Sequence, residues 1–236
     1  MKIEEKETIK KYSLSAKAYH NMRTKDNPKG WFFNEYLEMP CTLYLLGNIK
    51  GKKILDLGCG TGIYAKILSK KGAIIKGFDI TKEMLEIAKI ENPKLDLRLG
   101  SAYKIPFKEK FDIILASLVV HYLKDWDTIF KEVKKVLKPE GIFIFSTGNP
   151  VAETKNYFKE SKISVSWKDD NGNIMRMPYY HKTYETIIKT IIKNNFEILD
   201  YKDRFPLKKA KRLFPNEYKE YSKVPFFCVW KLRKKL

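Results

Sequence analysis

The chemistry-bearing pattern with the tightest spacing in this chain is one acid followed by three alternate glycines. Asp56, Gly58, Gly60 and Gly62 stand in Ile54-Leu55-Asp56-Leu57-Gly58-Cys59-Gly60-Thr61-Gly62. Glycine takes positive φ without steric cost and lets a ligand touch the backbone. An apolar run precedes the glycines and a helical pattern at Ile63–Lys71 follows them. A helix start adds free N–H groups and the positive end of a dipole. Strand, tight loop and helix together put a polar cradle at the carboxyl end of a strand, where open α/β sheets bind ligands. The dinucleotide pattern G-x-G-x-x-G fails, because Ile63 stands at its third glycine. A P-loop fails too, since no Gly-Lys-Ser/Thr follows. Asp56 would repel a phosphate, so a ligand with an ammonium group and no phosphate suits the cradle better.

A second acid comes about 20 residues after the glycine turn, the spacing at which a carboxylate grips a ribose diol. It is Asp79, at the end of the apolar run Ala73–Phe78. A charged acceptor takes both hydroxyl protons more strongly than a neutral one. Further on, Phe111–Ala116 is apolar enough for a buried parallel strand. Ser117-Leu118-Val119-Val120-His121 follows it. His121 is the candidate general base, since imidazole titrates near neutrality.

These residues resemble the class I S-adenosylmethionine-dependent methyltransferases, whose first motif is an acid followed by G-x-G-x-G. Leu118-Val119-Val120-His121 resembles the Leu-x-x-His segment of the small-molecule members. The turn Leu137-Lys138-Pro139-Glu140-Gly141 is another shared feature. In Gly100-Ser101-Ala102 the family commonly has Gly-Asp-Ala, its acid accepting from the adenine amino group; here Ser101 stands at the acid's place. The resemblance is strong over roughly residues 50–150 and implies S-adenosylmethionine as methyl donor and S-adenosylhomocysteine as product. It implies that Asp56, Gly58, Cys59, Gly60 and Gly62 hold the methionine end and Asp79 the ribose. Ile80, Met84, Ser101 and Ala102 would flank adenine, and Ser117 would border the sulfonium. Tyr19, in a helical stretch Glu5–Tyr19, resembles the tyrosine of an N-terminal segment that closes over the donor. The acceptor implied is an oxygen or nitrogen of a small molecule, because no Asn-Pro-Pro-Tyr or catalytic-cysteine motif is present. The alternatives are a tRNA or rRNA methyltransferase and a non-catalytic donor-binding regulator.

The elements around these residues follow from pattern. The resemblance implies an α/β fold: a Rossmann-like three-layer αβα sandwich with a seven-stranded, mostly parallel sheet and an antiparallel last strand. The 236 residues suffice for one such domain. Its parts are a helical lid at 1–50, the donor-binding core at 51–150, an inserted hairpin at 151–182, and a last helix with two strands at 183–236. Asn27-Pro28 marks a turn in the lid. The insertion carries a hairpin signal, Asp169-Asp170-Asn171-Gly172-Asn173, between two strand-like runs. Tyr157, Trp167, Met175, Tyr179, Tyr180 and His181 there are candidates for an acceptor pocket. Thr81, Asp125 and Thr183 precede helical patterns as N-caps.

Composition narrows the partners. The formal net charge is +19, and the basic residues are interspersed with acids except from Tyr201 to Leu236, where twelve face three. A solvated lysine-rich surface accounts for such a balance, and RNA binding is the alternative. Three scattered cysteines and three histidines lack metal-ligand spacing, so neither metal nor disulfide is implied. The charged start and the absence of a long apolar run give the expectation of a cytoplasmic protein without membrane contact.

Overall fold

The structure, a computed structural model, describes residues 1–24, 31–168 and 174–235, without the side chains of Trp167, Lys168 and Met175. The turn signals at Asn27-Pro28 and Asp169–Asn173, and the side chains of Trp167 and Met175, lie outside what is described. Helix α1 (Ile3–Met22), a π-helical turn at Phe32–Glu38 and α2 (Met39–Leu46) precede the first strand. Strand and helix then alternate through β1 (Lys53–Leu57), α3 (Ile63–Lys70), β2 (Ile74–Asp79), α4 (Lys82–Glu91) and β3 (Asp96–Leu99). After β4 (Phe111–Ser117) come a 3₁₀ turn at Val120–Tyr122, α5 (Trp126–Val136), β5 (Leu137–Gly148) and the short α6 (Pro150–Glu153). The insertion forms β6 (Lys162–Lys168) and β7 (Ile174–Tyr180). The chain ends with α7 (Tyr184–Lys193), β8 (Phe196–Asp203), α8 (Ala210–Leu213), α9 (Pro215–Tyr221) and β9 (Phe227–Lys234).

Strand periodicity decides the layers. Successive strand side chains point to opposite faces. Leu55, Leu57, Ile114, Ala116, Phe143 and Phe145 pack on one face with α5 and α7. Ile54, Ile113, Leu115 and Ile144 pack on the other with α2 and α3. Both faces are covered, which is why these strands read as unbroken apolar runs. The seven-stranded sheet has the order β3-β2-β1-β4-β5-β9-β8. Neighbours from β3 to β5 are parallel, and β9 runs antiparallel to both β5 and β8. This is the Rossmann-like sandwich with its antiparallel last strand.

The strand order reverses between β1 and β4, so the connections on the two sides diverge and leave a crevice at the carboxyl ends. The caps agree with the sequence at two of three places. Asp125 accepts from the Thr128 N–H at 3.0 Å, and Thr183 accepts from the Thr186 N–H at 3.2 Å. Thr81 gives α4 no side-chain cap; Asp79 Oδ1 instead accepts from the Thr81 N–H at 2.8 Å. The Lys138–Gly141 turn is a bulge inside β5. Leu137 pairs with Phe111 and Ile142 with Ile113, and Glu140 takes φ 55° to loop out the residues between.

The cap of the crevice joins distant parts of the chain. Helix α1 packs on α4 and on β7. Lys162 of β6 pairs with Glu7 at 2.6 Å, and Ser13 donates to Glu83 at 2.7 Å. The π-helical turn buries Phe32 and Leu37 against Ala210 of α8, with Phe214 and Tyr221 beside them. The basic C-terminal connection is thus partly helical and packs against the N-terminal lid.

Candidate active site

The glycine turn is shaped by its neighbours. Gly58 has φ +71°, and a Cβ there would run into the Val119 side chain. Gly62 has φ +79° and caps α3, and a Cβ would lie 2.5 Å from Asn92 Nδ2. The N–H groups of Gly58 and Cys59 both donate to the Phe78 carbonyl at 2.9 Å, tying the turn to the end of β2. The Gly60 N–H donates to Asp79 Oδ2 at 2.9 Å. Turn and second acid therefore form one unit.

A cavity of about 410 Å³ lies over the carboxyl edge of the sheet. Gly58, Gly60, Asp79, Ile80, Met84, Ala102, Ser117, His121 and Tyr19 all line it. A second, small recess shares Tyr19, Gly58, Gly60 and Ser117 with it and is lined also by Asp56, Cys59 and Arg23. Two expected residues reach neither wall. Gly62 is occupied in the N-terminus of α3. Ser101 turns its hydroxyl onto Glu5 Oε1 and accepts from the Tyr103 N–H at 3.0 Å.

Glu5 places a carboxylate beside Ser101. It comes from α1, 96 residues away in sequence, and lines the cavity near Gly100 and Ala102. Nothing local in the sequence marks it, because the serine–acid pairing exists only after α1 has docked. Its other oxygen accepts from the Lys2 N–H at 2.7 Å.

Arg23 was equally invisible to motif reasoning. Its Nε donates to Glu35 at 3.0 Å and its Nη1 to the Tyr19 hydroxyl at 2.8 Å. Burial works against its charge, but Tyr19 and Glu35 outweigh burial and keep it cationic. Among the described residues its Nη2 is buried without a partner, and so is Asp56 Oδ2. Burial, then the nearby Asp79, pushes the Asp56 carboxyl up to about 7, with the Ala65 N–H acting the other way. A buried unpaired donor and a buried unpaired acceptor are costly in isolation. Both residues line one recess, which offers a carboxyl and a guanidinium to a ligand carrying an ammonium and a carboxylate.

Ser117 is held from below. Its hydroxyl donates to Glu38 at 3.0 Å, and Ser146, Thr42 and Tyr64 also donate to that fully buried carboxylate, at 2.6, 2.7 and 2.9 Å. Glu38 thereby fixes the π-helical turn against β4, β5 and α3.

His121 faces the cavity from the 3₁₀ turn. It stacks on Tyr179 at 4.3 Å and meets the edge of Tyr122 at 4.3 Å. Its Nδ1 lies 3.4 Å from Thr147 Oγ1. Burial pushes the imidazole down to about 3, so it stays neutral through the physiological range. The Tyr12 and Tyr122 hydroxyls meet at 2.9 Å and close one side.

The cavity and recess fit a ligand with an amino-acid end, a diol and no phosphate. Asp79 presents a carboxylate, and no Lys or Arg lines the main cavity among the described residues.

Comparison with known proteins agrees with this chemistry. A family model described as a methyltransferase domain matches residues 55–145. An uncharacterized protein of Haemophilus influenzae is 31% identical over 226 residues, covering 85% of this chain and 88% of that protein. A ubiquinone biosynthesis O-methyltransferase of Pelagibacter ubique is 35% identical over 105 residues. There the match covers 43% of this chain and spans only 44% of the relative's length. Among solved structures, an S-adenosylmethionine-dependent methyltransferase from Listeria monocytogenes superposes with a TM-score of 0.72 at 28% identity, covering 84% of this chain and 97% of that one. Motif, fold, cavity chemistry and these relatives agree: the chain belongs to the class I S-adenosylmethionine-dependent methyltransferases.

Proposed function

We propose that this enzyme moves the methyl group of S-adenosylmethionine to an oxygen or nitrogen of a small molecule. The observation that carries this is the continuity of the cavity. The wall that begins at Asp79, Gly58 and Gly60 runs on past Ser117 and His121 to Glu153 and the hairpin residues Val165 and Met177. Groups suited to the donor and groups suited to the acceptor would thus share one cavity. The partial match to the relative named as a ubiquinone biosynthesis O-methyltransferase supports a small-molecule acceptor.

The donor supplies a sulfonium methyl that a lone pair can displace in line. The chain's own part is binding, alignment and exclusion of water. Arg23 and Asp56 would hold the carboxylate and ammonium, and the Gly58–Gly60 backbone would lie along the methionine. Asp79 has lone pairs left after its bonds to Gly60 and Thr81, and these would take the ribose hydroxyls. Ile80, Met84 and Ala102 would sandwich the adenine with Glu5 beside them. Tyr19, Ser117 and His121 would wall the reacting centre. With an activated methyl group, holding the two partners in line supplies much of the acceleration.

Incubation with labelled donor and a fractionated cell extract tests this. The expected outcome is label in low-molecular-mass product. Label in RNA instead would transfer the activity to the basic C-terminal surface, and donor binding without any labelled product would make the chain a regulator. No helix of the described residues is long and apolar enough to cross a membrane. A cytoplasmic location is part of this proposal.

A further inference from the structure

A line of hydrogen bonds backs one wall of the cavity, and atoms that only accept fix its direction. Buried His181 has its Nε2 2.8 Å from the Tyr157 carbonyl oxygen, so Nε2 carries a hydrogen. Its Nδ1 is 2.7 Å from Glu153 Oε2, and that contact holds one proton, on the imidazole or on the carboxyl. In either form Glu153 Oε1 has no hydrogen of its own, so the Tyr179 hydroxyl donates to it. Both carboxyl oxygens are engaged, which gives Glu153 a role inside the protein rather than toward a ligand.

The line continues from Tyr179 to His121. Burial raises the Tyr179 phenol, and a hydrogen bond with Thr147 acts the other way. The Tyr179 hydrogen is spent on Glu153, so in that bond Thr147 donates. The Thr147 hydrogen is then spent as well. Its oxygen, 3.4 Å from His121 Nδ1, accepts there, so Nδ1 carries the hydrogen of the imidazole. Burial pushes His121 down to about 3, so the ring is neutral and Nε2 keeps a lone pair. Nε2 makes no hydrogen bond among the described residues and is not sealed within the protein. The ring lines the cavity, stacked on Tyr179 at 4.3 Å, and the cavity lining also includes Tyr122, Met177, Tyr221, Phe226 and Phe227.

Resting on the methyl-transfer proposal above, we propose that the acceptor is a neutral alcohol or phenol on an apolar or aromatic body, its O–H directed at the Nε2 lone pair of His121. Glu153 and His181 are positioning residues that act through Tyr179 and Thr147 to hold His121 in this tautomer. A carboxylate acceptor would be desolvated with no Lys or Arg on the described wall, which is strongly unfavourable. An ammonium ion would find Glu5 and Glu153 already bonded and Asp79 taken by the donor. In the reaction an oxygen lone pair forms the O–CH₃ bond as the S–CH₃ bond breaks, and that bonding pair returns to sulfur. The oxonium centre so formed is a strong acid. Its proton passes to Nε2 while the O–H bonding pair stays on oxygen. A weakly basic imidazole suffices, because the proton leaves with or after methyl transfer rather than before it. The ether departs, and the imidazolium returns its proton to water.

The test is nitrogen NMR on the full chain, made with isotope-labelled histidine and saturated with S-adenosylhomocysteine. His121 is assigned by the signals that His121→Asn removes. The expected spectrum has a protonated Nδ1 and a bare Nε2. Tyr179→Phe keeps the stacked ring but removes the hydroxyl, and it should shift His121 toward the Nε2–H form. Glu153→Ala should do the same. Glu153→Gln should restore the Nδ1–H form, since its carbonyl still accepts from Tyr179 while its amide donates to His181. On the unaltered complex, 4-methylphenol should move the Nε2 signal and bind about tenfold tighter than toluene, the worth of one hydrogen bond. It should also bind tighter than benzylamine or benzoate. A proton on Nε2 in the unaltered chain overturns the inference. So does an Nδ1–H form that persists in Tyr179→Phe, an Nε2 signal indifferent to 4-methylphenol, or tighter binding of a charged probe. Should Glu153→Ala fail to fold, Tyr179→Phe and the 4-methylphenol titration decide. Failure of S-adenosylhomocysteine itself to bind would strike the methyl-transfer proposal instead.

Discussion

Asp56 shows how one residue can be both a cost and a tool. Its carboxyl is pushed up to about 7, above its ordinary range, chiefly by burial. The folded chain therefore holds a proton that the unfolded chain releases between the ordinary carboxylate pKa and about 7. This residue's contribution to stability falls as pH rises through that window and is flat above it. Asp56→Asn should accordingly raise the melting temperature at pH 8. The same substitution should weaken S-adenosylhomocysteine, because the ligand's ammonium group would lose its charge partner. For the unaltered protein, ligand binding below pH 7 must expel the proton, so affinity should rise from pH 5.5 to 7 by up to about tenfold per unit and then level off. A calorimetric pH series checks this, and the Asp56→Asn series should be flat. Asp79→Ala should weaken S-adenosylhomocysteine at least about a hundredfold, since two charge-assisted bonds to a diol are removed; unchanged affinity would sink the ribose assignment. Asp56 and Asp79 were legible because they sit at fixed offsets from the glycine turn. Arg23 and Glu153 were not, because ordinary spacing surrounds them and only folding brings them to the cavity.

Between elements, the turn from β1 into α3 carries the tightest constraint. Gly58 combines φ +71° with contact against Val119. Gly58→Ala should destabilise the chain by about 1–3 kcal/mol through backbone strain and that collision. Chemical denaturation would read the loss, and a fall of less than about 0.5 kcal/mol would mean that the turn relaxes freely. Helix α1 is the other element on which the site depends. Glu4 accepts from the Tyr103 hydroxyl at 2.8 Å, and Glu5 accepts from Ser101. Glu5→Ala should cut S-adenosylhomocysteine affinity about tenfold, the loss of one charged hydrogen-bond acceptor. A strand ending in a glycine turn and a helix is visible locally. The docking of α1 over that turn is not, since its contacts join segments about a hundred residues apart.

Over the whole molecule, charge and site are separated. The formal charge of +19 is carried outside the cavity wall, where no Lys or Arg appears among the described residues. Donor binding should therefore change less than about threefold between 50 mM and 500 mM salt, because buried pairs are screened little. Phosphate binding by the basic C-terminal stretch would instead fall steeply and log-linearly with salt. The C-terminal connection has a structural part as well, closing on the lid through Phe214 and Tyr221 against Phe32. The sequence alone, through the family resemblance that its glycine turn and neighbouring motifs carry, pointed to the sheet and the donor, since such motifs act over a few residues. Tertiary structure alone set Glu5 of α1 against Ser101 and brought Arg23 into one recess with Asp56. It also placed Glu153, Tyr179 and His181 together. Each of these depends on pairing charged or hydrogen-bonding groups across the fold, and such pairings leave no periodic trace in the chain.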